Sequence, residues 1–184
     1  MSKKTTAHWC DWSGNSIEHL VLNETRDHIN AASVIISKDG DNPYAARYEI
    51  ICDPEWRVTH VSVNLVGEDL GVELSGDGNG NWHDKSGDKP ELRGAIDVDI
   101  STTPFTNTLP IRRLKLGAMQ TADINTVYIR LPELIVTTDA QRYTCLDPGR
   151  LYRFESLDGD FVRDIEVDSD GLVVTYPGLF RRII

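Results

Sequence analysis

Apolar and polar positions alternate with a period of two along most of the chain. Arg47–Asp53 sets Tyr48, Ile50 and Cys52 on one face, with Arg47, Glu49 and Asp53 on the other and Ile51 among them. Beyond a Pro-Glu turn, Arg57–Leu65 puts Val61, Val63 and Leu65 opposite His60, Ser62 and Asn64. Leu70, Val72 and Leu74 then alternate with Gly71, Glu73 and Ser75. Successive side chains of a strand point to opposite faces, so this pattern predicts half-buried antiparallel strands. Further strands are predicted at Thr126–Arg130, Leu134–Thr138, Gln141–Leu146, Arg150–Ser156, Phe161–Val167 and Leu172–Tyr176. Asp39-Gly40, Asp158-Gly159 and Asp170-Gly171 fall between apolar runs, and Asp-Gly suits the positive φ of tight hairpins. Many strands at short spacing predict a mainly β fold: a sheet, sandwich or barrel. No internal repeat or linker divides the chain, so one domain over 1–184 is expected. The Gly, Asp and Asn crowded into Gly76–Lys89 mark the stretch expected to be most flexible.

One segment, within DVDISTTPFTNTLPIRRLKL (Asp97–Leu116), breaks the alternation. Thr108 suits a helix cap, Pro110 a first turn and Gly117 a stop, which predicts a helix of about eight residues. Leu109, Ile111, Leu114, Leu116 and Ala118 point around most of its circumference, and a helix apolar nearly all round is buried. The strands are therefore expected to curve around it. Arg112 and Arg113 then lie near the interior, where an unpaired charge is costly. Asp97 and Asp99, two apart on a strand, face one side while Val98 and Ile100 face the other. A carboxylate can accept both arms of an arginine fork. These groups form either a salt-bridge network locking helix to sheet or the lining of a polar pocket.

Charge narrows the range of partners. With 19 basic and 29 acidic residues the formal net charge is −10, which disfavours nucleic acid and anionic membrane surfaces. Forty per cent apolar content over 184 residues is ordinary for a globular domain. No apolar run approaches a membrane span, so no integral membrane segment is expected. The start, MSKKTTAHWCDW, lacks the apolar stretch of a secretory signal. Cys10, Cys52 and Cys145 are odd in number and widely spaced, which fits reduced thiols and a cytoplasmic location.

DVDISTTPFTNTLPIRRLKL, together with VDSDGLVVTYPGLFRR, resembles the family described as Putative glycolipid-binding, formerly a domain of unknown function. YEIICDPEWRV, DGNGNW and QRYTCLDPGRLYRFES carry the same resemblance, which runs from about Ile17 to Arg182. It implies a large antiparallel sheet, a half-open barrel, wrapped around a single buried α-helix, similar in shape to lipoprotein localisation factors. It also implies a homodimer and an acidic pocket for the sugar headgroup of a glycolipid or similar small amphiphile. Carried onto this chain, the ligand-binding residues are Asp97, Asp99, Asn107, Arg112 and Arg113, flanked by Tyr143 and Tyr152. Carboxylates accept sugar hydroxyls, Arg and Asn donate, and aromatic faces cover the apolar side of a ring. No catalytic residue, metal or cofactor is assigned.

Other readings follow from the residues themselves. A hydrolase could use Asp97 and Asp99, which lie roughly 6–7 Å apart along a strand. Neighbouring arginines would depress both pKa values, which is wrong for a general acid. A third reading is a homodimeric interaction protein whose charged cluster is structural. Asp77, Asn79, Asn81 and Asp88 alternate like a calcium loop, but Trp82 stands where Gly is required and no helix flanks them. The five histidines show no metal-ligand spacing, and Cys10 and Cys145 have no basic neighbour in sequence. YPGLFRR (Tyr176–Arg182) is read as a last edge segment closing the sheet or as a dimer contact.

Overall fold

In the computed structural model, which describes residues 2–184, period two becomes fifteen strands of one sheet. The first eight run in chain order: β1 (Lys3–Asp11), β2 (Ile17–Glu24), β3 (Ile29–Asp39), β4 (Asn42–Cys52), β5 (Val58–Leu65), β6 (Gly71–Gly76), β7 (Trp82–Asp84) and β8 (Gly87–Asp88). After a 3-10 turn at Pro90–Leu92 come β9 (Asp97–Ile100), a second 3-10 turn at Phe105–Asn107 and the helix α1 (Thr108–Leu114). The chain then forms β10 (Thr121–Arg130), β11 (Ile135–Asp147), β12 (Leu151–Ser156), β13 (Val162–Val167), β14 (Val173–Tyr176) and β15 (Phe180–Arg182). The order across the sheet is β8-β7-β6-β5-β4-β3-β2-β1-β15-β14-β13-β12-β11-β10-β9. Every neighbouring pair is antiparallel except β9 and β10. The sheet does not close: β8 and β9 are its edges, and it forms a half-open barrel around α1. Among the described residues no helix is long and apolar enough to cross a membrane.

The helix has an apolar side for each half of the sheet. Leu109 and Phe105 join a core built from Trp9, Leu20, Ile35, Ile50, Val61 and Val63, closed by Val98, Ile100, Val127 and Ile129. Ile111 joins a second core of Tyr143, Phe154, Ile165, Val167, Val173 and Tyr176. Each fully buried aliphatic or aromatic side chain contributes about 1.5–3 kcal/mol, so the helix is held by packing rather than by its own propensity.

Several details depart from the sequence reading. The two short strands expected at Leu134–Thr138 and Gln141–Leu146 are one continuous strand, β11. The helix starts without a side-chain cap, because the Phe105–Asn107 turn runs straight into it, and the Thr108 hydroxyl is buried without a partner. It ends at Lys115, which takes the left-handed conformation (φ 49°), rather than at Gly117. The Gly76–Lys89 stretch is pinned: Trp82 is buried and its indole N–H donates to the Ala95 carbonyl at 2.7 Å. Gly80 (φ 85°) lies so close to Gly94 that a Cβ would come within 2.8 Å of its Cα. β15 is not an edge; it lies mid-sheet, pairing Trp9 with Arg182 and Cys10 with Arg181, and so joins the two halves. That pairing gives Cys10 the basic neighbour its local sequence lacks, with Arg181 Nε 3.3 Å from Sγ.

Candidate functional site

β9 divides its side chains as the alternation requires. Val98 and Ile100 are buried in the first core, while Asp97 and Asp99 turn toward α1 and β11. Asp97 is 0% exposed, and Arg113 clamps it, with Nε 3.0 and 3.2 Å from Oδ1 and Oδ2 and Nη2 2.5 Å from Oδ2. Asp99 is half-buried. Its Oδ1 accepts from the Thr106 hydroxyl at 2.9 Å and its Oδ2 from the Gln141 amide at 2.8 Å. The same amide nitrogen donates to Asp139 Oδ2 at 2.9 Å, so one side-chain amide bridges two carboxylates. Asn107 donates to the Pro104 carbonyl and accepts from the Tyr143 hydroxyl at 2.9 Å. Tyr143 stands edge-on to Phe154, which also packs on Phe161 and Tyr176, so the polar cluster rests on an aromatic wall.

The predicted site residues therefore separate into two groups. Asp97, Asp99, Asn107, Arg113 and Tyr143 come together. Arg112 leaves the helix in another direction: it donates to Glu24 Oε2 at 2.9 Å and to the Asp170 carbonyl at 2.7 Å, with its guanidinium 4.4 Å over the Trp56 ring. Tyr152 lies in the second core, and its hydroxyl accepts from Gly149 N at 3.3 Å. Asp139, Gln141, Thr106 and Tyr176 belong to the cluster but were not among the residues singled out. Asp139, Gln141, Tyr143 and Cys145 share one face of β11 by simple alternation, a signal hidden when that strand is divided in two.

The electrostatics differ from the expected depression of both carboxyls. Burial pushes Asp97 up, the hydrogen bonds and charge of Arg113 oppose it, and the carboxyl stays above its ordinary value. Burial likewise raises Asp99, against bonds from Thr106 and Gln141 and with the Asp139 charge adding to the rise. Tyr143 is pushed well up by burial and by the Asp99 charge, and Tyr176 by the same two causes. Both phenols therefore remain hydroxyl donors at any physiological pH. Acceptors at Asp99 and Asp139, donors at Gln141, Tyr143 and Tyr176 and a ring-stacked wall are the chemistry of hydroxyl-rich ligands.

Residues 6–182 match the family described as Putative glycolipid-binding. The chain belongs to this family. The crystal structure of a DUF1089 family protein from Pseudomonas aeruginosa superposes with a TM-score of 0.82 at 36% identity, covering 92% of each chain. No curated protein matches it.

For the other polar loop, Asp77 Oδ1 accepts from the backbone N–H of Asn79 and Asn81, and Oδ2 from the Asn81 amide at 2.7 Å. The loop thus satisfies its own carboxylate. Three clefts open elsewhere. One of about 1320 Å³ follows β5–β8 to Leu92 and Val136, one of about 540 Å³ lies over β2–β5, and one of about 420 Å³ lies between β1, β3 and the β14–β15 turn. None of these three is lined by Asp97 or Asp99.

Proposed function

We propose that this protein binds a glycolipid or similar amphiphile without turning it over. The observation that carries the reading is the junction of a hydroxyl-accepting cluster (Asp99, Asp139 and Gln141) with the aromatic second core. The sugar headgroup meets Asp99 and its neighbours, and Asn107 and Tyr143 shape the floor. Arg113 holds Asp97 as a support beneath the headgroup. The acyl chain lies beside α1, where Leu114, Leu116, Ile124 and Phe161 are only partly buried. Both oxygens of Asp97 are occupied by Arg113, which favours binding over the two-carboxylate hydrolysis considered from sequence. The reading includes a homodimer, which the family resemblance implies, and a cytoplasmic location, which the odd, widely spaced cysteines favour. A measured mass of one chain rather than two in solution would remove the dimer.

Native mass spectrometry of the purified protein, with and without octyl glucoside, tests the reading. A bound amphiphile and a rise in melting temperature are expected. Asp99→Asn should abolish both while leaving the unliganded fold intact. No retained lipid and no shift with any glycolipid would sink the proposal. If Asp99→Asn instead lowers the melting temperature and leaves binding unchanged, the cluster is structural.

A further inference from the structure

The last strand at one end of the sheet, β8, is two residues long, and a longer free edge stands beside it. β6 pairs with β5 from Gly71 to Ser75, but β7 meets β6 only at Ser75 and Gly76. Gly71–Leu74 therefore has a strand neighbour on one side alone. At the start of the β5–β6 hairpin the Leu65 N–H donates to the Leu70 carbonyl. Hydrogen-bonded pairs alternate along an antiparallel ladder, so Val72 and Leu74 bond to β5, while Gly71 and Glu73 turn their N–H and C=O groups away from it. Ser75 follows the same rule and directs its groups to His83. Among the described residues nothing pairs with the free side of Gly71 and Glu73, and both residues are exposed.

The cleft of about 1320 Å³ opens along this edge. Glu73, Asp84 and Lys85 all line it, so β6 and the β7–β8 hairpin part beyond the Ser75–His83 pair. Its inward side is apolar: Leu74 and Leu92 belong to the first core, and Val72 and Val136 pack on it. Its outward side is polar, with Asn64, Glu73 and His83. Among the described residues Glu68, Asp69, Glu73 and Glu91 of the lining have no ion-pair partner. Lys89 is already held by Asp84, which leaves only Arg47 and Lys85 against those carboxylates.

We propose that β6 is a docking edge for an extended peptide in which basic and apolar residues alternate. A strand laid antiparallel along Gly71–Leu74 exchanges backbone hydrogen bonds with Gly71 and Glu73 over roughly 13 Å. Residues directly opposite one another share a face of the sheet. The peptide side chain opposite Val72 thus points inward, to the side of Val136 and Leu92. The one opposite Glu73 points outward, as a cation beside that carboxylate. A second copy of this chain is a poor occupant. Two β6 edges paired about a two-fold axis set Glu73 opposite or diagonal to its own copy, like charge on like. This edge stands apart from the Asp99 cluster and does not depend on the glycolipid reading.

The probe is a capped hexapeptide of alternating lysine and valine, titrated into nitrogen-15-labelled protein. Its comparisons are the glutamate–valine counterpart and the lysine–valine peptide N-methylated at its lysine amides. Saturable movement of the Gly71 and Glu73 amide signals, with slower hydrogen exchange at both, is expected for the unmethylated lysine–valine peptide alone. Glu73→Pro removes a free edge donor without touching the ladder to β5 and should abolish binding. Glu73→Gln should weaken it roughly twofold to fivefold, the worth of one exposed charge contact. Asp99→Asn should leave it unchanged, which separates this edge from the glycolipid cluster. The peptide comparisons use the unaltered protein and decide the matter if Glu73→Pro does not fold. Equal binding of the N-methylated peptide would reduce the effect to charge alone, and equal binding of the glutamate–valine peptide would remove the charge argument; either overturns the proposal. So would the absence of saturable movement, or a peptide-free dimer that Glu73→Pro splits, since the edge would then belong to a second copy.

Discussion

Glu18→Gln gives the sharpest test of how the interior handles charge. In the unfolded chain the carboxyl titrates near its ordinary 4.5; in the folded protein burial moves it to about 7. Below the lower value both states carry the proton, and stability does not depend on this group. Between the two values the unfolded chain releases a proton that the folded protein retains. Rising pH therefore favours unfolding, and the loss is complete once pH passes about 7. At about 1.4 kcal/mol per pH unit, the full span costs about 3 kcal/mol. The glutamine keeps one oxygen for Ser33, Tyr48 and Thr103, which donate to Glu18 Oε1 in the parent, and has nothing to titrate. Its unpaired amide hydrogens add a penalty, but a constant one. The titratable group in contact with Glu18 is Tyr48, whose phenol burial holds protonated throughout. Asp97 and Asp99 are common to both proteins and cancel in the difference. Urea unfolding, followed by tryptophan fluorescence from pH 4.5 to 8.5, should show the variant gaining about 3 kcal/mol on the parent as pH rises. A difference that stays constant across that range would refute the reasoning, since Glu18 would then be ionised in the fold at all these pH values.

Three further substitutions probe the supports of the fold. Arg113→Met strands Asp97 as a buried unpaired charge and should cost about 3–5 kcal/mol in chemical unfolding, with Asp97→Asn in the same chain recovering part of it; a loss below about 1 kcal/mol would show that the pair does not brace the helix. Trp82→Phe removes the bond to the Ala95 carbonyl, should cost about 1–3 kcal/mol and should make the Gly76–Lys89 stretch more sensitive to limited proteolysis than in the parent; equal sensitivity would show that the bond does not pin it. Arg182→Ala removes the guanidinium bonds to the carbonyls of Leu172 and Val173 and to Asp168 Oδ2, leaving those carbonyls only the Asp168 N–H and the Trp9 indole; a loss of about 1–3 kcal/mol and faster amide exchange in β1 and β14 are expected, and unchanged exchange would mean that the β15 backbone pairing alone holds the halves together.

Where one face of a strand meets the core, alternation made the element legible, as at Arg47–Asp53 and Leu70–Ser75. The buried helix was legible too, because Leu109 and Ile111 cannot both face one sheet surface, and each now serves a different core. The sheet order was not legible. Pairing β15 with β1, and β9 in parallel with β10, depends on contacts between distant segments that no local pattern encodes. The helix stop falls at Lys115 (φ 49°), two residues before the glycine that the sequence pattern marks. At the site, the need to pair Asp97 was readable, but the choice of partner was not. Arg112 and Arg113 are about 100° apart around a helix, so only one can reach β9. The other goes to Glu24, across the first core.

Glu18 shows what the same periodicity could have revealed. In IEHLVL it shares the inward register with Leu20 and Leu22, a carboxylate in an apolar row. Such a position demands a partner set supplied from elsewhere in the chain, and the threonine-rich loop after β9 supplies it. Thr103 turns to Glu18, and Thr106 turns back to Asp99. One short segment thus holds two carboxylates in different cores, which gives the proline and threonines between DVD and the helix a physical reason. Pro104 and the 3-10 turn keep the loop too tight to let either threonine swing away.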